Sequence, residues 1–512
     1  MSANSHARLS AQAVFFVVGL LCILVFHKWL SQRGKIVALG GFAPGMKTKL
    51  PFGLRWIIDE IHCAVNYDHF DIWQKRMRQV GTECRTLETR FPGPFGLRII
   101  WTDDPENIKA ILVTDFEDWG KGERVHHEWM PLLGNSIFMT DGALWHASRQ
   151  LIRPHFTKKR VSDLNTFETH VQILIKAIKS KGNTQRIDMQ EMFKHYALDI
   201  ATEFILGKSA HNMLGLNLEF AHAFGEAQRQ CVWFTKLGPA KGLFSRKKYL
   251  SNLRKINNFI EPFVDEVLSF TPEELQLKSK REKNFLHSLA TFSRDRKMLR
   301  DQIIGVLLGG RDTVASGLSW ALYELARHPE IVTKLRHEIS AIVGLNNAPS
   351  FSKMREMKYL QYIINETLRL YPSVAVNCRF STKNTSLPRG GTSGGRVGIL
   401  NDTLVVFSPI ACQRHRIAYP LDSKIEEFDP ERWVHLEFKQ GNYFPFSGGP
   451  RICVGQQFAL AEMGYTLVRL FQTFSQIHSF MDYERLDRNG GNMQTDIVLE
   501  LREGVEVGFM YE

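Results

Sequence analysis

The sequence predicts a mainly α-helical protein with a minor β part and one N-terminal transmembrane helix. Three observations predict it: a long apolar run near the N-terminus, recurrent helical periodicity through the rest of the chain, and only a few short strand-like pieces. Of the 512 residues, 44% are hydrophobic and 23% charged, the mix of a packed globular protein, which excludes a mostly disordered chain. The net charge of +12 favours anionic partners, although this balance alone does not choose between nucleic acid, anionic lipid and an acidic protein. Cysteines 22, 63, 84, 231, 378, 412 and 453 are scattered and form no CxxC pair. That pattern argues against a disulfide scaffold, a zinc ribbon or a four-cysteine cluster and fits a reducing compartment.

Residues 9–30 are nearly continuous hydrocarbon and reach the length of about 20 residues that a bilayer span needs. A cleaved signal peptide would end at a small-residue site, whereas His27, Lys28 and Trp29 follow here. Arg8 precedes the run while Lys28, Arg33 and Lys35 follow it, which places the bulk of the chain in the cytosol. The sequons at Asn365, Asn384 and Asn401 would then stay unglycosylated. Residues 31–54, with Gly40, Gly41, Pro44, Gly45 and Pro51 among lysines, read as a stiff basic linker near anionic headgroups. No long biased stretch or internal repeat follows, so residues 55–512 are expected to form a single catalytic domain. Helical periodicity marks residues 168–181, 189–206, 253–269, 300–327, 330–343 and 359–370. Strand patterns mark 97–102, 396–399 and 403–407, with another near 497–501. The glycine-rich segment Gly391-Thr392-Ser393-Gly394-Gly395 formally matches a serine hydrolase elbow, but it lacks the apolar strand before it and the helix after it.

The densest chemical signal is Phe446-Ser447-Gly448-Gly449-Pro450-Arg451-Ile452-Cys453-Val454-Gly455, followed at once by a helical run over 456–472. Flanking glycines let backbone N–H groups approach the sulfur, and the helix directs its positive end at it. Both effects favour thiolate. With no histidine base in the loop, Phe446 to shield and Arg451 available for a carboxylate, Cys453 suits an axial ligand to heme iron better than a nucleophile.

Phe-x-x-Gly-x-Arg-x-Cys-x-Gly is the heme-ligand signature of the cytochromes P450, and this sequence resembles it at every fixed position. The resemblance implies the cytochrome P450 fold, a heme b cofactor and Cys453 as its iron ligand. Mid-helix Gly309 and Gly310 cost about 1 kcal/mol each against alanine, so close packing or a loosened turn must keep them. Gly309-Gly310-Arg311-Asp312-Thr313-Val314 resembles the family's oxygen-activation turn, in which Asp312 and Thr313 would deliver protons; Val314 stands where many relatives carry Thr or Ser. Glu366 and Arg369, three apart on a helix, resemble the family's Glu-x-x-Arg, which implies Arg432 as third member of a structural ion triad. Trp145 and Arg149 resemble the family's heme-propionate donors, and Arg379 is a further candidate. His126, His127, His155 and His415 have no ligand spacing and read as packing or surface residues.

Since the sequence carries no dinucleotide fingerprint and no cluster-binding cysteine set, electrons must come from another protein, by resemblance a membrane-bound NADPH–cytochrome P450 reductase. Dioxygen is the expected oxidant, the endoplasmic reticulum membrane the expected location, and nucleic acid is not an expected partner. Residues 103–112, 131–134, 299–302 and 455–460 are similar to the fungal n-alkane and fatty-acid hydroxylase branch, which implies hydroxylation at or near the end of a long alkyl chain. The apolar candidates Ile304, Leu308, Val374, Ala375 and Val376 could enclose methylenes, or equally a polyketide or terpenoid. A tailoring oxidase of lipid-like secondary metabolites and a non-catalytic heme sensor are the alternatives.

Overall fold

The computed structural model describes residues 2–46, 69–80, 85–90, 98–157, 163–282, 284–392, 394–420, 423–436, 441–488 and 493–511. Helix α1 (Ser2–Ala38) runs on past the expected apolar span. Residues 31–38, expected as linker, continue this helix because no proline interrupts them, and it stops ahead of Gly40 and Gly41, both at positive φ. Phe16, Ile23, Phe26 and Trp29 stand exposed along α1. Among the described residues no helix is long and apolar enough to cross a membrane. Much of the expected span, namely the side chains of residues 9–15, 18, 21 and 22, lies outside the described set, as do residues 47–54 of the expected linker.

The chain divides into two compact units. One comprises Met1–Val65, Ile72–Gly120 and Cys378–Phe407. Its five-stranded sheet contains β1 (Thr86–Arg90), β2 (Arg98–Thr102), β3 (Trp119–Gly120), β4 (Asn377–Ser381) and β5 (Leu404–Phe407), in the order β1-β2-β5-β4-β3. Strands β1 and β2 pair antiparallel, β2 and β5 parallel. These strands are buried on both faces, with Leu87, Ile100 and Val405 fully so, which suits their runs of β-branched and apolar residues. The glycine-rich segment joins the antiparallel strands Thr385–Leu387 and Val397–Ile399 and leads into no helix, so it is a hairpin loop and not a hydrolase elbow; Ser393 lies outside the described residues.

The other unit, Asn66–Asp71, Lys121–Asn377 and Ser408–Glu512, is mostly helical. Its helices include α2 (Gly142–Ile152), α3 (Asn165–Lys181), α4 (Met189–Leu206), α5 (Leu218–Leu237), α6 (Lys247–Ser269), α7 (Arg296–Arg327), α8 (Lys358–Leu370) and α9 (Gln456–Thr473). Helix α7 starts where Asp295 accepts from Met298 N at 2.8 Å, an N-cap that satisfies one orphan donor. It meets α9 at Gly317, where an added Cβ would come within 2.9 Å of the Met463 sulfur. Phe167, Leu318, Trp320, Leu467 and Phe471 belong to the core that α3, α7 and α9 share. A C-terminal hairpin, β6 (Met493–Thr495) and β7 (Leu499–Leu501), closes against α7: Ser316 Oγ and Trp320 Nε1 both donate to Leu499 O, at 2.5 and 3.2 Å.

The fully buried Glu366 carboxylate on α8 accepts from Arg369 Nε and Nη2, both at 2.8 Å, and from Arg432 Nε at 2.9 Å. Trp433 Nε1 and Asp429 N add bonds at 3.0 Å each. Burial works against the Arg369 charge, but the bonds and charge of Glu366 outweigh it and raise its pKa. Removing the carboxylate leaves two guanidinium groups without their anion, so Glu366→Ala is expected to lower unfolding stability by about 3–5 kcal/mol in a urea titration.

Between α5 and α6, Glu226 accepts from Lys248 and Arg229, and these bonds, led by Lys248, draw its carboxyl down from 4.5 to about 2 against the effect of burial. A depressed carboxylate stabilises the fold above its unfolded pKa and loses that contribution as pH falls through the folded value. Glu226→Gln should therefore melt below the parent at neutral pH, with the gap closing between pH 4.5 and about 2 in thermal scans.

Candidate active site

The cysteine loop is held by its own backbone. Ser447 N donates to Phe444 O at 2.9 Å, Ile452 N to Gly449 O at 3.0 Å and Cys453 N to Phe446 O at 3.0 Å. Ser447 and Gly449 both adopt positive φ, 64° and 62°. Gly455 begins the turn into α9, its N–H bonded to the Cys453 sulfur and its Cα close enough that a Cβ would lie 3.9 Å from that atom. The sulfur is enclosed by protein yet keeps an exposed face. Burial pushes the Cys453 thiol up, and the Gly455 N–H and Arg149 oppose this without overcoming it. The Gly455 N–H thus acts in the direction expected of the loop, and desolvation works against it. Phe446 is partly buried against the core.

Trp145, Arg149 and Arg451 come together from α2 and the loop. Trp145 is buried, with the Arg451 guanidinium 4.5 Å and that of Arg149 5.8 Å from its ring centroid. Arg149 Nη1 donates to Ile452 O at 2.9 Å, and Arg451 Nη2 donates to Thr140 O at 2.9 Å and to the Asp141 carboxylate. An indole and two guanidinium groups beside a thiol fit what a heme would need: a soft donor for its iron and cationic N–H groups for its carboxylates. Arg379 sits elsewhere in the chain's organisation, on β4 of the sheet unit, where it is buried and donates to Cys378 O at 2.7 Å. Of the histidines read as packing or surface residues, His155 is buried edge-on to Phe285.

Helix α7 carries the second group. Asp312 is buried, and Thr313 Oγ1 donates to Gly309 O at 2.6 Å within an unbroken helix. The expected loosened turn is absent; instead the glycines meet neighbours, a Cβ at Gly309 reaching 3.3 Å from Phe138 and one at Gly310 reaching 3.5 Å from Ala201. Ser373 Oγ donates to Thr313 O at 2.9 Å, which ties the segment carrying Val374, Ala375 and Val376 to this turn. Val374 and Val376 are half-buried, while Ala375 and Leu308 are mostly hidden and Ile304 presents no surface.

Sequence reasoning missed Ser373, a polar residue with no motif around it. It also missed a joint between two segments it had singled out separately. Gly134, at φ 52°, approaches Asp301 so closely that a Cβ would lie 1.9 Å from its Cγ. Asn135 N donates to Asp301 Oδ2 at 2.9 Å, and Gln302 Nε2 donates to Asn135 O at 3.0 Å and Ser148 Oγ at 3.1 Å, binding α7 to α2.

The family model described as Cytochrome P450 matches residues 65–492. Over 98% of this chain and 96% of the relative, the sequence is 40% identical to "Cytochrome P450 monooxygenase pvhE" of Talaromyces variabilis. It is 38% identical to "Cytochrome P450 52A1" of Candida tropicalis, over 85% of this chain and 82% of that one. The fold is similar to the crystal structure of the cytochrome P450DA heme domain, with TM-score 0.76 at 16% identity, covering 92% of this chain and 98% of that one. The chain therefore belongs to the cytochrome P450 family, as a heme b monooxygenase that uses dioxygen, a redox partner and a hydrophobic substrate.

Proposed function

We propose that the protein hydroxylates a long alkyl chain, a fatty acid or alkane, at or near its terminal carbon. The observation that carries this reading is the Ser373–Thr313 tie, which holds the apolar segment 374–376 against the helical turn bearing Asp312 and Thr313. The four segments similar to the fungal alkane and fatty-acid hydroxylase branch support it, and the joint of residues 134–135 with Asp301 and Gln302 supports treating two of them as one unit. An apolar wall with few polar groups selects methylenes by excluding water.

Cys453 would hold the heme iron with Phe446 as its shield, and Trp145, Arg149 and Arg451 would hold the propionates, with Arg379 a further candidate. Bound there, the heme supplies oxidation of C–H to C–OH, with one dioxygen, two electrons and two protons giving alcohol and water. The chain's own work is to keep the substrate dry and to deliver those protons through the buried Asp312 carboxylate and the Thr313 hydroxyl, which now donates to Gly309 O and can turn to pass one on. Glu366, Arg369 and Arg432 hold the frame. The exposed apolar residues of α1 support a single-pass anchor in the endoplasmic reticulum membrane with the catalytic part cytosolic, where the basic surface would meet an acidic NADPH–cytochrome P450 reductase.

Cys453→Ala should abolish the red-shifted Soret band of the reduced, carbon-monoxide-treated protein; retention of that band would remove Cys453 as ligand. Thr313→Ala should reduce product formation by on the order of 100-fold while NADPH oxidation continues, and unchanged product per NADPH would remove its proton role. Incubation with reductase and a panel of alkanes, fatty acids and lipid-like metabolites tests the substrate. Terminal alcohols from the first two classes support the proposal, turnover of the metabolites alone favours a tailoring oxidase, and heme binding without any turnover favours a sensor.

A further inference from the structure

Asp312 needs a route to solvent if it is to be reprotonated in every cycle, and the C-terminal hairpin offers one. Helix α7 presents Asp312, Ser316 and Trp320 at four-residue intervals, so they share a face. Ser316 and Trp320 both hold Leu499 O, and Leu499 N donates to Ser373 O at 2.8 Å, the residue whose hydroxyl holds Thr313 O. The next residue, Glu500, follows this anchor on the face of α7 that carries Asp312 one turn before Ser316, close enough for the two carboxyl charges to interact. From the other side Gln190 exchanges two hydrogen bonds with Leu501, both 2.9 Å. One turn further along α4, Lys194 Nζ reaches Glu500 Oε2 at 3.1 Å and Glu191 Oε1 at 2.9 Å. Side-chain exposure falls steadily inward, from 59% at Glu191 to 23% at Glu500 and 9% at Asp312.

We infer that Glu500 is the carboxyl through which Asp312 is reprotonated from solvent, and that Lys194 is the positioning residue that holds it there. This rests on the proton role given above to Asp312 and Thr313. Each dioxygen reduced consumes two protons, while the redox partner supplies the two electrons. Glu500 gives a proton to Asp312 and recovers one from water, so neither acid is used up. Burial raises the Glu500 carboxyl above its ordinary range, Lys194 opposes this, and the Asp312 charge pushes it further up. The charged groups around the pair are Arg311 on α7, Lys194 and Glu191 on α4, Arg229 on α5 and Asp496 in the hairpin. Arg311 is itself buried, its Nε in an ion pair 3.4 Å from Asp312 Oδ1, and neither its Nε nor its Nη1 makes a well-aligned hydrogen bond among the described residues. Those two N–H groups can order water along the same path.

The test uses the full chain with heme and reductase and compares Glu500→Gln, Glu500→Asp and Lys194→Met with Asp312→Asn and Thr313→Ala. Product per NADPH should fall roughly tenfold in Glu500→Gln, less than the loss of on the order of 100-fold in Thr313→Ala, with a larger solvent deuterium isotope effect and unchanged heme content. Glu500→Asp should restore much of the coupling, and Lys194→Met should show a milder form of the same defect. A readout without turnover is infrared titration of the Glu500 carboxyl in the resting protein, assigned by its loss in Glu500→Gln. Its midpoint should move to lower pH in Asp312→Asn, where the neighbouring negative charge is gone. Parental coupling in Glu500→Gln beside a defective Asp312→Asn overturns the relay, as does a Glu500 midpoint indifferent to Asp312→Asn. Loss of coupling together with heme or thermal stability, without rescue by Glu500→Asp, overturns it in favour of a structural tie. If Asp312→Asn and Thr313→Ala both keep parental coupling, the reading of the α7 turn itself fails, and the relay falls with it.

Discussion

The carboxylate of Glu366 organises more of this protein than any group nearer the chemistry. Five N–H donors from Arg369, Asp429, Arg432 and Trp433 converge on two oxygens that see no water. Such a site tolerates partial assembly poorly, because the shared anion is the one opposite charge offsetting the desolvation of both cations, whose remaining N–H groups reach only neutral oxygens of Tyr419, Lys424 and Glu427. The consequence runs on through Gln413, whose Nε2 donates to Leu368 O and Arg369 O at the end of α8 while its Oε1 accepts from Phe444 N at 3.0 Å. Tyr443 adds a bond to Asn365 O. The approach to the cysteine loop is thus suspended from the same helix that carries the ion cluster. A thiol on a loop of glycines and a proline would otherwise have little to fix its direction.

Helix α7 supplies the complementary constraint. Its glycines are where it comes closest to its neighbours: Gly317 admits the Met463 sulfur, and Gly309 admits the Phe138 ring. Close approach lets α9, which continues from the cysteine loop, cross the helix that bears Asp312 and Thr313 without a spacer. Energetically the glycines weaken the helix, and the packing they permit restores what they lose.

Much of this was legible in the sequence. The helices expected at 189–206, 300–327 and 359–370 stand as α4, α7 and α8 with ends shifted by a few residues at most, because long apolar periodicity survives in any tertiary setting. The signature around Cys453 was readable because several backbone and side-chain demands coincide within ten residues. Strands β1 and β4 and helix α5 were not foreseen. Thr86–Arg90 and Asn377–Ser381 carry polar and charged residues that become tolerable only once paired, as Arg90 and Arg98 with Glu88 illustrate. Partners of the site residues were harder still. Ser373 and Glu500 have no local pattern, since their meaning comes from a hairpin more than a hundred residues away from one and from a helix nearly two hundred away from the other. For a related reason glycine spacing reveals the Gly455 donor to the sulfur but not the desolvation that opposes it.

Between residues 308 and 320, α7 carries the proposed pocket residue Leu308, the proposed proton-delivery pair Asp312 and Thr313, and Ser316 with Trp320 under the C-terminal hairpin. The proposed substrate wall and the proposed proton-delivery pair are thereby geared together on one helix, a coupling that any laboratory evolution of selectivity meets. The segment at 374–376 is joined to that helix through one serine hydroxyl, so it can be altered while the helix itself stays unchanged.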